Sequence, residues 1–376
     1  MLGFKVGAVG IRPNLSVAER FSDNITYTSG DIPFYPKQSD FITIISPGVI
    51  ATAGHEETGK LFSVGYRLDA LMYADNGKYN ALDHNVNLSA TISGNRLTST
   101  TTATVGYASS IYTGYDRIIE GIYLPAGNTD RLPYNFSTRL ALHATPKTDA
   151  YLGASFNGLV FPNNTTLLYR DRNDWRVTLG GDYAVRPKLR VLAEAYYAQS
   201  FYSAPPLGGS SSEWDRVGGN LGFRTDLSAR LSGSVRVGYE FWERDAQPGD
   251  TLTTTASLGY RLTERTRLSL NFSRGARESV STASGSYISY QGGLGVEHRL
   301  GTKRPVILAA NAKASLNDYE SGTEHSYYTL GVSGAYMLRD WLRLMLAYQF
   351  ESRDGSAGVA RNYTVNSVTL SVAAGY

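Results

Sequence analysis

Apolar and polar residues alternate along most of the chain. Residues 81–93, ALDHNVNLSATIS, show the pattern clearly. One parity holds Leu82, His84, Val86, Leu88, Ala90 and Ile92, and the other holds Asp83, Asn85, Asn87, Ser89, Thr91 and Ser93. A period of two with β-branched and aromatic residues is typical of β-strands. The sequence therefore predicts an all-β protein, and we identify no helical stretch.

The alternating segments predict about 18 strands. They lie near residues 4–20, 40–53, 60–74, 81–94, 96–110, 133–145, 149–161, 173–185, 188–202, 214–225, 229–242, 251–262, 266–277, 286–300, 305–317, 326–338, 341–352 and 361–376. These strands are longer than the five or six residues that are usual in soluble sheets. Their length matches the roughly 9–11 tilted residues that cross a bilayer.

The connections between these segments are of two kinds, which alternate. Short turns fall at residues 94–95, 146–148, 186–187, 226–228, 263–265, 301–303 and 339–340, and longer segments include 22–38, 111–132, 162–172, 203–213 and 243–250. Short turns on one side and long loops on the other are typical of outer-membrane barrels. We therefore predict a closed antiparallel transmembrane β-barrel that forms a single domain over residues 1–376, with both termini on the periplasmic side.

The two parities predict which face meets lipid. A ring of about 18 strands encloses a lumen too wide for side chains to fill, so the polar parity faces water inside and the apolar parity faces lipid. The apolar parity also carries two aromatic rows, as membrane interfaces favour. The row near the long loops holds Tyr107, Tyr134, Phe156, Trp175, Tyr197, Phe241, Phe272, Tyr290, Tyr328 and Phe350, and the row near the short turns holds Tyr183, Tyr260, Tyr336, Trp341 and Tyr376. The alternative is a soluble β-sandwich or propeller with a tyrosine-rich surface, which does not predict the alternating loop lengths and both rows together.

The inward parity is neutral on one wall and rich in arginine on the other. Strands near residues 81–94 and 96–110 place amides and hydroxyls inward, whereas guanidinium groups dominate after about residue 176. The predicted lumen-lining residues, along which substrate would pass, are Arg67, Asp69, Arg139, Arg176, Arg190, Glu194, Arg216, Arg224, Arg236, Glu240, Arg261, Arg267 and Arg343. Such a wall suits weak, repeated contacts with a hydrated chain. The alternative for each arginine is a stiffening ion pair with an acid on the next strand.

The longest loop, residues 111–132, is unusually apolar for a loop in water. It carries the candidate constriction residues Tyr115, Asp116, Arg117, Ile118 and Glu120. The loop can fold inward as a constriction or pack on neighbouring loops, and the sequence leaves both alternatives open.

Composition and motifs exclude several function classes. The absence of Cys excludes disulfides and thiolate metal sites and suits a cell-envelope protein. A net charge of +3 gives no indication of a nucleic-acid partner. No metal-ligand spacing or cofactor motif occurs, and the glycine-rich segments 208–212 and 292–295 do not lead into a helix as phosphate loops do. No apolar run approaches 18 residues, and the opening residues are too short for a signal peptide, so we expect the leader to have been removed.

The first hundred residues resemble a known family. The segments RPNLSVAERFSDNITYT, SDFITIISPGVIATAG, YRLDALMY, NALDH and GNRLT, over residues 12–97, are similar to the β-barrel porin-2 family. The matching positions are Pro13, Glu19, Asp23, Asn24, Ser39, Asp40, Pro47, Gly48, Tyr66, Tyr73, Asn80, His84, Asn95 and Arg96. The resemblance implies an outer-membrane barrel of exopolysaccharide export systems, including those near PEP-CTERM sorting loci. It implies no catalytic residue. The C-terminal segment TLSVAAGY resembles the terminal-strand signal that the barrel-assembly machinery reads.

We therefore predict a Gram-negative outer-membrane pore that exports an exopolysaccharide and is not an enzyme. Its expected partners are outer-membrane lipid, lipopolysaccharide, the secreted polysaccharide and a polysaccharide export protein in the periplasm or inner membrane. The first alternative is a general or oligosaccharide-uptake porin. The second is a lipase or polysaccharide hydrolase, which would need a Ser–His or Asp–His pair at the barrel mouth. Of the histidines, His143 is expected to point inward near the periplasmic end and His325 to lie in a loop.

Overall fold

The strands follow the alternating segments closely. The computed structural model describes residues 3–29, 36–55, 59–111, 128–162, 171–203, 212–226, 228–244, 247–278, 286–302, 304, 305–320, 322–355 and 362–375. Its strands are β1 (Phe4–Val6), β2 (Val9–Ser22), β3 (Asp40–His55), β4 (Lys60–Tyr73), β5 (Ala81–Ser93), β6 (Leu97–Tyr107), β7 (Leu132–Thr145), β8 (Thr148–Val160), β9 (Arg172–Arg186), β10 (Leu189–Tyr202), β11 (Ser212–Thr225), β12 (Leu231–Arg244), β13 (Gln247–Arg261), β14 (Thr266–Glu278), β15 (Ser286–Leu300), β16 (Val306–Tyr319), β17 (Glu324–Arg339), β18 (Leu342–Gly355) and β19 (Tyr363–Ala374). A single 3₁₀ turn, Gly77–Tyr79, joins β4 to β5. Among the described residues, no helix is long and apolar enough to cross a membrane.

Strands β2 to β19 form a closed antiparallel ring. Each strand pairs with the next along the chain, and β19 pairs with β2, which gives the 18-stranded barrel that the sequence predicts. The predicted first strand, residues 4–20, is divided in two. Gly7 adopts a φ of 59°, which glycine allows at little cost. The turn folds β1 back so that it pairs with Val9–Ile11 at the start of β2. The pairing of β2 with β19 ends at Leu15, so β1 covers the edge of β2 that β19 does not reach.

The outer face of the barrel is apolar. Leu179 and Leu221, for example, are 65% and 69% exposed near the middle of their strands. Because the main chain of a closed barrel is paired internally, an exposed band of this kind is the surface that lipid covers. The strand residues of both predicted aromatic rows project outward with this band. Trp341 lies in the turn between β17 and β18, and Tyr376 lies outside the described residues.

Two connections differ from the sequence prediction. Most of the predicted long loop 243–250 belongs to strands, because β12 and β13 pair as far as Arg244 and Gln247. His325 lies in β17, paired with Asn317 of β16, and not in a loop. In both places, main-chain pairing continues beyond the bilayer on the extracellular side. The sequence there no longer alternates between apolar and polar residues, so it does not predict a strand.

Ring closure depends on the seam between β19 and β2. These two strands pair only from Ser367–Ser22 to Ala374–Leu15, whereas β2 and β3 pair along the whole length of β2. Side chains extend the seam at its extracellular end. Asp23 accepts hydrogen bonds from the main-chain nitrogen of Asn366 (2.7 Å) and from its Nδ2 (2.8 Å). The Nδ2 of Asn24, which is fully buried, donates to the main-chain oxygen of Thr364 (2.9 Å).

The charge of Asp23 contributes to this seam. Partial burial raises the pKa of the carboxyl, but the hydrogen bonds from Asn366 and the nearby Lys37 outweigh burial and hold the pKa below its ordinary value of 3.8. A carboxyl whose pKa is lowered by folding stabilises the protein above its unfolded-state pKa. This contribution is lost as the pH falls through the lower, folded-state pKa.

Replacing Asp23 with Ala is expected to lower the free energy of unfolding at pH 7 by about 1–2 kcal/mol, because it removes charge-assisted hydrogen bonds at the closing seam. Urea unfolding in lipid vesicles measures the change. The wild-type and variant curves are expected to converge in acid, below the folded-state pKa of Asp23. The matched control is Asp318→Ala on β16, an outward-facing extracellular carboxylate away from the seam. Equal losses in both variants at pH 7 would contradict the role of Asp23.

Candidate functional site

The inner wall of the barrel is the candidate functional surface. Cross-strand pairing sets each inward residue beside an inward residue of the next strand. These inward residues alternate along each strand with the residues of the exposed apolar band. All the charged residues predicted to line the lumen project inward: Arg67 and Asp69 on β4, Arg139 on β7, Arg176 on β9, Arg190 and Glu194 on β10, Arg216 and Arg224 on β11, Arg236 and Glu240 on β12, Arg261 on β13, Arg267 on β14 and Arg343 on β18. Their use by a substrate stays a prediction.

The register adds inward charges that the sequence analysis did not single out. The basic ones are Arg12, Arg20, Arg172, Arg244, Arg277, Arg299, Lys313 and Arg353, and the acidic ones are Asp40, Asp83, Asp149, Asp174, Asp182, Glu297 and Glu351. Basic groups therefore outnumber acidic ones on the inner wall, although the whole chain is nearly balanced at 36 to 33. The balance is restored partly by outward acids near the extracellular rim, such as Asp215 and Asp250. The fold thus concentrates positive potential in the lumen.

One wall of the lumen is neutral, as the sequence predicts. Inward Asn87 of β5 accepts a hydrogen bond from Thr104 of β6 (3.1 Å) and donates to Asn85 (2.5 Å). Asn135 of β7 donates to Asn157 of β8. This wall offers amide and hydroxyl groups of the kind that exchange hydrogen bonds with water and with sugar hydroxyls.

The neighbouring wall, on β7–β12, contains a repeated arrangement that we call an Arg–Tyr–Glu unit. In the first unit, Tyr151 of β8 crosses Gly180 of β9 and donates its hydroxyl to Glu194 of β10 (2.7 Å). A Cβ at Gly180 would overlap the tyrosine ring, so only glycine lets the ring lie flat across the strand. The guanidinium of Arg139 on β7 stacks on the other face of the ring, 3.6 Å from its centroid.

The second unit repeats this geometry two strands further on. Tyr196 of β10 crosses Gly218 of β11 and donates to Glu240 of β12 (2.7 Å). A Cβ at Gly218 would likewise overlap the tyrosine. Arg176 of β9 stacks on the ring, again 3.6 Å from its centroid. Both units therefore present a guanidinium that rests on a fixed tyrosine.

Only some inward arginines form ion pairs with acids. Within the described residues, Arg190 contacts both Asp149 and Asp182, Arg67 pairs with Asp69 (2.7 Å), Arg172 pairs with Asp174 (2.6 Å), and Arg299 pairs with Glu297 (3.1 Å). The predicted alternative, an ion pair with an acid on the next strand, therefore applies to Arg190, whereas the other three pairs join residues two apart on the same strand. It does not apply to Arg139 and Arg176, because the glutamates of their units accept from tyrosine hydroxyls.

The periplasmic end of the lumen brings a threonine, a histidine and an acid together. Nδ1 of His143 lies 2.7 Å from Asp149, and its Nε2 lies 3.2 Å from the hydroxyl of Thr98. This order of contacts is that of a nucleophile, a base and an orienting acid. Thr98, however, lies inside β6, between β5 and β7. Its main chain belongs to the strand ladders, which does not favour an oxyanion hole. Among the described residues, no group of three His, Asp or Glu side chains could hold a metal ion.

Loop segments fold into the extracellular end of the lumen. Ile25, from the loop after β2, and Ile111, just after β6, are buried against inward Ile42, Tyr73 and Tyr79. They line a cavity of about 560 Å³ that also reaches β16–β19. The sequence analysis missed this cluster, because Ile25 lies in a polar segment. The candidate constriction residues Tyr115, Asp116, Arg117, Ile118 and Glu120 lie outside the described residues.

A family model decides the identity of the barrel. The family described as "Putative beta-barrel porin 2" matches residues 163–376, more than half of the chain. The chain belongs to this family. The match confirms the family that the sequence analysis suspected, although it covers β9–β19 and not the segments in residues 12–97 that suggested the resemblance. The Arg176 unit lies within the matched porin-2 region, whereas Arg139 and Tyr151 precede it.

Solved structures share the barrel fold. The siderophore receptor PirA from Pseudomonas aeruginosa aligns with a TM-score of 0.50 at 9% identity, over 97% of this chain and 80% of that one. A mutant of the ferric enterobactin receptor PfeA from the same organism aligns with a TM-score of 0.50 at 10% identity, over 97% and 80% of the two chains. Similarity at such low identity shows the fold alone. No curated protein matches the chain. The porin-2 barrel thus resembles Gram-negative outer-membrane proteins, and its porin family favours a channel over an enzyme.

Replacing Arg224, Arg236 and Arg267 together with Ser is expected to reduce any preference of the pore for anions, because inward guanidiniums set the local potential. The reversal potential in a KCl gradient across a planar bilayer measures this preference. The control removes three positive charges at the periplasmic ends of hairpins, in Arg186, Arg265 and Arg304. An unchanged reversal potential in the lumen variant would contradict a basic lumen.

Proposed function

We propose that this porin-2 barrel is a passive conduit through which an exopolysaccharide leaves the cell. The observation that carries the proposal is the lumen wall, which is largely neutral and hydrogen-bonding on β5–β6 and weighted with guanidiniums on β7–β14. A sugar chain is rich in hydroxyls, so many weak contacts can replace its hydration without trapping it at one deep site. The driving force would come from synthesis and export machinery in the inner membrane.

The ends of the barrel support the partners that we propose. On the periplasmic side, the short turns and the β1 hairpin form a low rim on which a polysaccharide export protein could dock. On the outer face, the apolar band and the aromatic rows suit lipid and lipopolysaccharide. The last strand, β19, would be presented to the barrel-assembly machinery.

A second candidate is a general or oligosaccharide-uptake porin. It is favoured by the description of the family as porins. The two candidates share the same lumen and differ in the direction of transport and in the size of the substrate. The third candidate is a barrel-mouth lipase or hydrolase. Among the described residues, only the contacts between Thr98, His143 and Asp149 support it.

Passage through the lumen can be tested with cysteines, because the chain has none of its own. Ser155 of β8 points inward and its neighbour Ala154 points outward. Vesicles that contain the Ser155→Cys barrel are expected to release a labelled polysaccharide, and coupling of a bulky maleimide polymer to the cysteine is expected to stop the release. The same coupling to Ala154→Cys is expected to have no effect. Two results would contradict a conduit through the lumen. One is that neither unmodified variant releases the polysaccharide, and the other is that coupling of the maleimide polymer reduces release equally in both variants.

Deletion of the protein in its host distinguishes the candidates. An export conduit predicts less polysaccharide outside the cell and accumulation in the periplasm, whereas an uptake porin predicts slower growth on an oligosaccharide. A hydrolase predicts that the purified barrel shortens polysaccharide or releases fatty acid from lipid, and that His143→Ala abolishes this turnover. Turnover lost in that variant would replace the conduit proposal with the third candidate.

A further inference from the structure

We infer that the two Arg–Tyr–Glu units form a repeating site for an acidic polysaccharide that carries a carboxylate on every second sugar. The inference rests on the proposed function and adds the chemical class of the polymer. It would place Arg139 and Arg176 in contact with successive carboxylates as the chain passes.

The spacing of the units is the first argument. Equivalent residues lie two strands apart, and Glu194 of the first unit and Tyr196 of the second are consecutive inward residues of β10. Two strand spacings and one inward step give a separation on the order of 10 Å between equivalent groups. This is comparable with the length of a disaccharide and about twice that of one sugar. A polymer charged on alternate sugars can therefore meet both guanidiniums at once.

The second argument is that each unit leaves its guanidinium available. The carboxylate of Glu194 accepts from the Tyr151 hydroxyl and from Nδ2 of Asn220 (2.9 Å), and that of Glu240 accepts from Tyr196. Arg139 makes no hydrogen bond to any described residue and is held by its stacking on Tyr151. Arg176 hydrogen-bonds through Nε to Thr178 (3.3 Å), which leaves its terminal nitrogens for a ligand. The acids orient the rings, and so the positive charge is not cancelled by a direct ion pair.

The third argument concerns the shape of the wall. A cavity of about 310 Å³ opens between the units, lined by Arg139, Arg176, Glu194 and Arg236 among others. The Nε of Arg236 is buried there without a partner among the described residues. A planar guanidinium fixed on an aromatic ring can bind a carboxylate through two parallel hydrogen bonds, which a flexible ammonium cannot do. The cavity therefore has the donors for a carboxylate and room for the sugar ring that carries it.

Interruption of the ion current through single pores tests the inference. The probes are hyaluronan oligosaccharides, with a carboxylate on alternate sugars; oligogalacturonates, with one on every sugar; and uncharged maltooligosaccharides of equal length. Hyaluronan fragments are expected to block at the lowest concentration. The double variant Arg139→Gln and Arg176→Gln is expected to raise the half-blocking concentration of these fragments about tenfold, because charge-assisted hydrogen bonds are lost.

Three variants make the test specific. Arg304→Gln, in the periplasmic turn between β15 and β16, removes a positive charge outside the barrel strands and is expected to leave the half-blocking concentration within about twofold. Arg139→Lys and Arg176→Lys together keep the charge but lose the planar fork, and are expected to weaken the block by hyaluronan fragments. Heat-dependent mobility on gels confirms that each variant is folded.

The outcomes separate this inference from the proposed function. Equal block by all three probes, or an unchanged block in the double Gln variant, would overturn the acidic-polymer inference and leave the conduit untouched. Tighter block by oligogalacturonates than by hyaluronan fragments would overturn the alternate-sugar spacing. Failure of the cysteine-controlled release assay would instead remove the conduit itself.

Discussion

Main-chain hydrogen bonding around a closed ring is the constraint on which the rest of this structure depends. Within a bilayer, an unpaired N–H or C=O group costs several kcal/mol, so every strand must be paired on both edges. The seam between β19 and β2 completes this pairing, although its ladder is short. The contacts that Asp23 and Asn24 make to β19 extend the seam beyond the ladder. Closure then fixes which parity faces lipid and which faces the lumen.

Closure also separates charge. Once the apolar parity is outside, nearly all charged side chains within the bilayer depth must point inward, where water solvates them. The inner wall carries more basic than acidic groups, and acids such as Asp215 and Asp250 lie on the outer extracellular rim. A positive lumen can attract anions at long range, and the largely neutral wall on β5–β6 keeps the contacts weak. The combination suits transport of a hydrated chain better than capture of a small ligand.

The Arg–Tyr–Glu units show how a sheet can fix long side chains over a wide lumen. An inward residue of a large barrel has no opposing core to pack against, so its rotamers are free unless neighbours restrict them. Gly180 and Gly218 remove side chains from the path of Tyr151 and Tyr196. The rings then reach glutamates two strands away and form platforms for arginine. Cation–π contact at such semi-exposed sites contributes about 0.5–1 kcal/mol, which is enough to restrict where the guanidinium lies.

The sequence by itself determined most of the strands, the two faces, the outward aromatic residues of those strands and the inward direction of the charged residues assigned to the lumen. These properties follow from a period of two, which is local and needs no knowledge of the neighbouring strand. Only the tertiary structure decided that Arg190 pairs with Asp149 whereas Arg139 stacks on Tyr151. It also decided that Ile25 and Ile111 meet inside the lumen. Such contacts depend on the register between strands and on loops that return over the lumen, and alternation along a single strand carries no information about either.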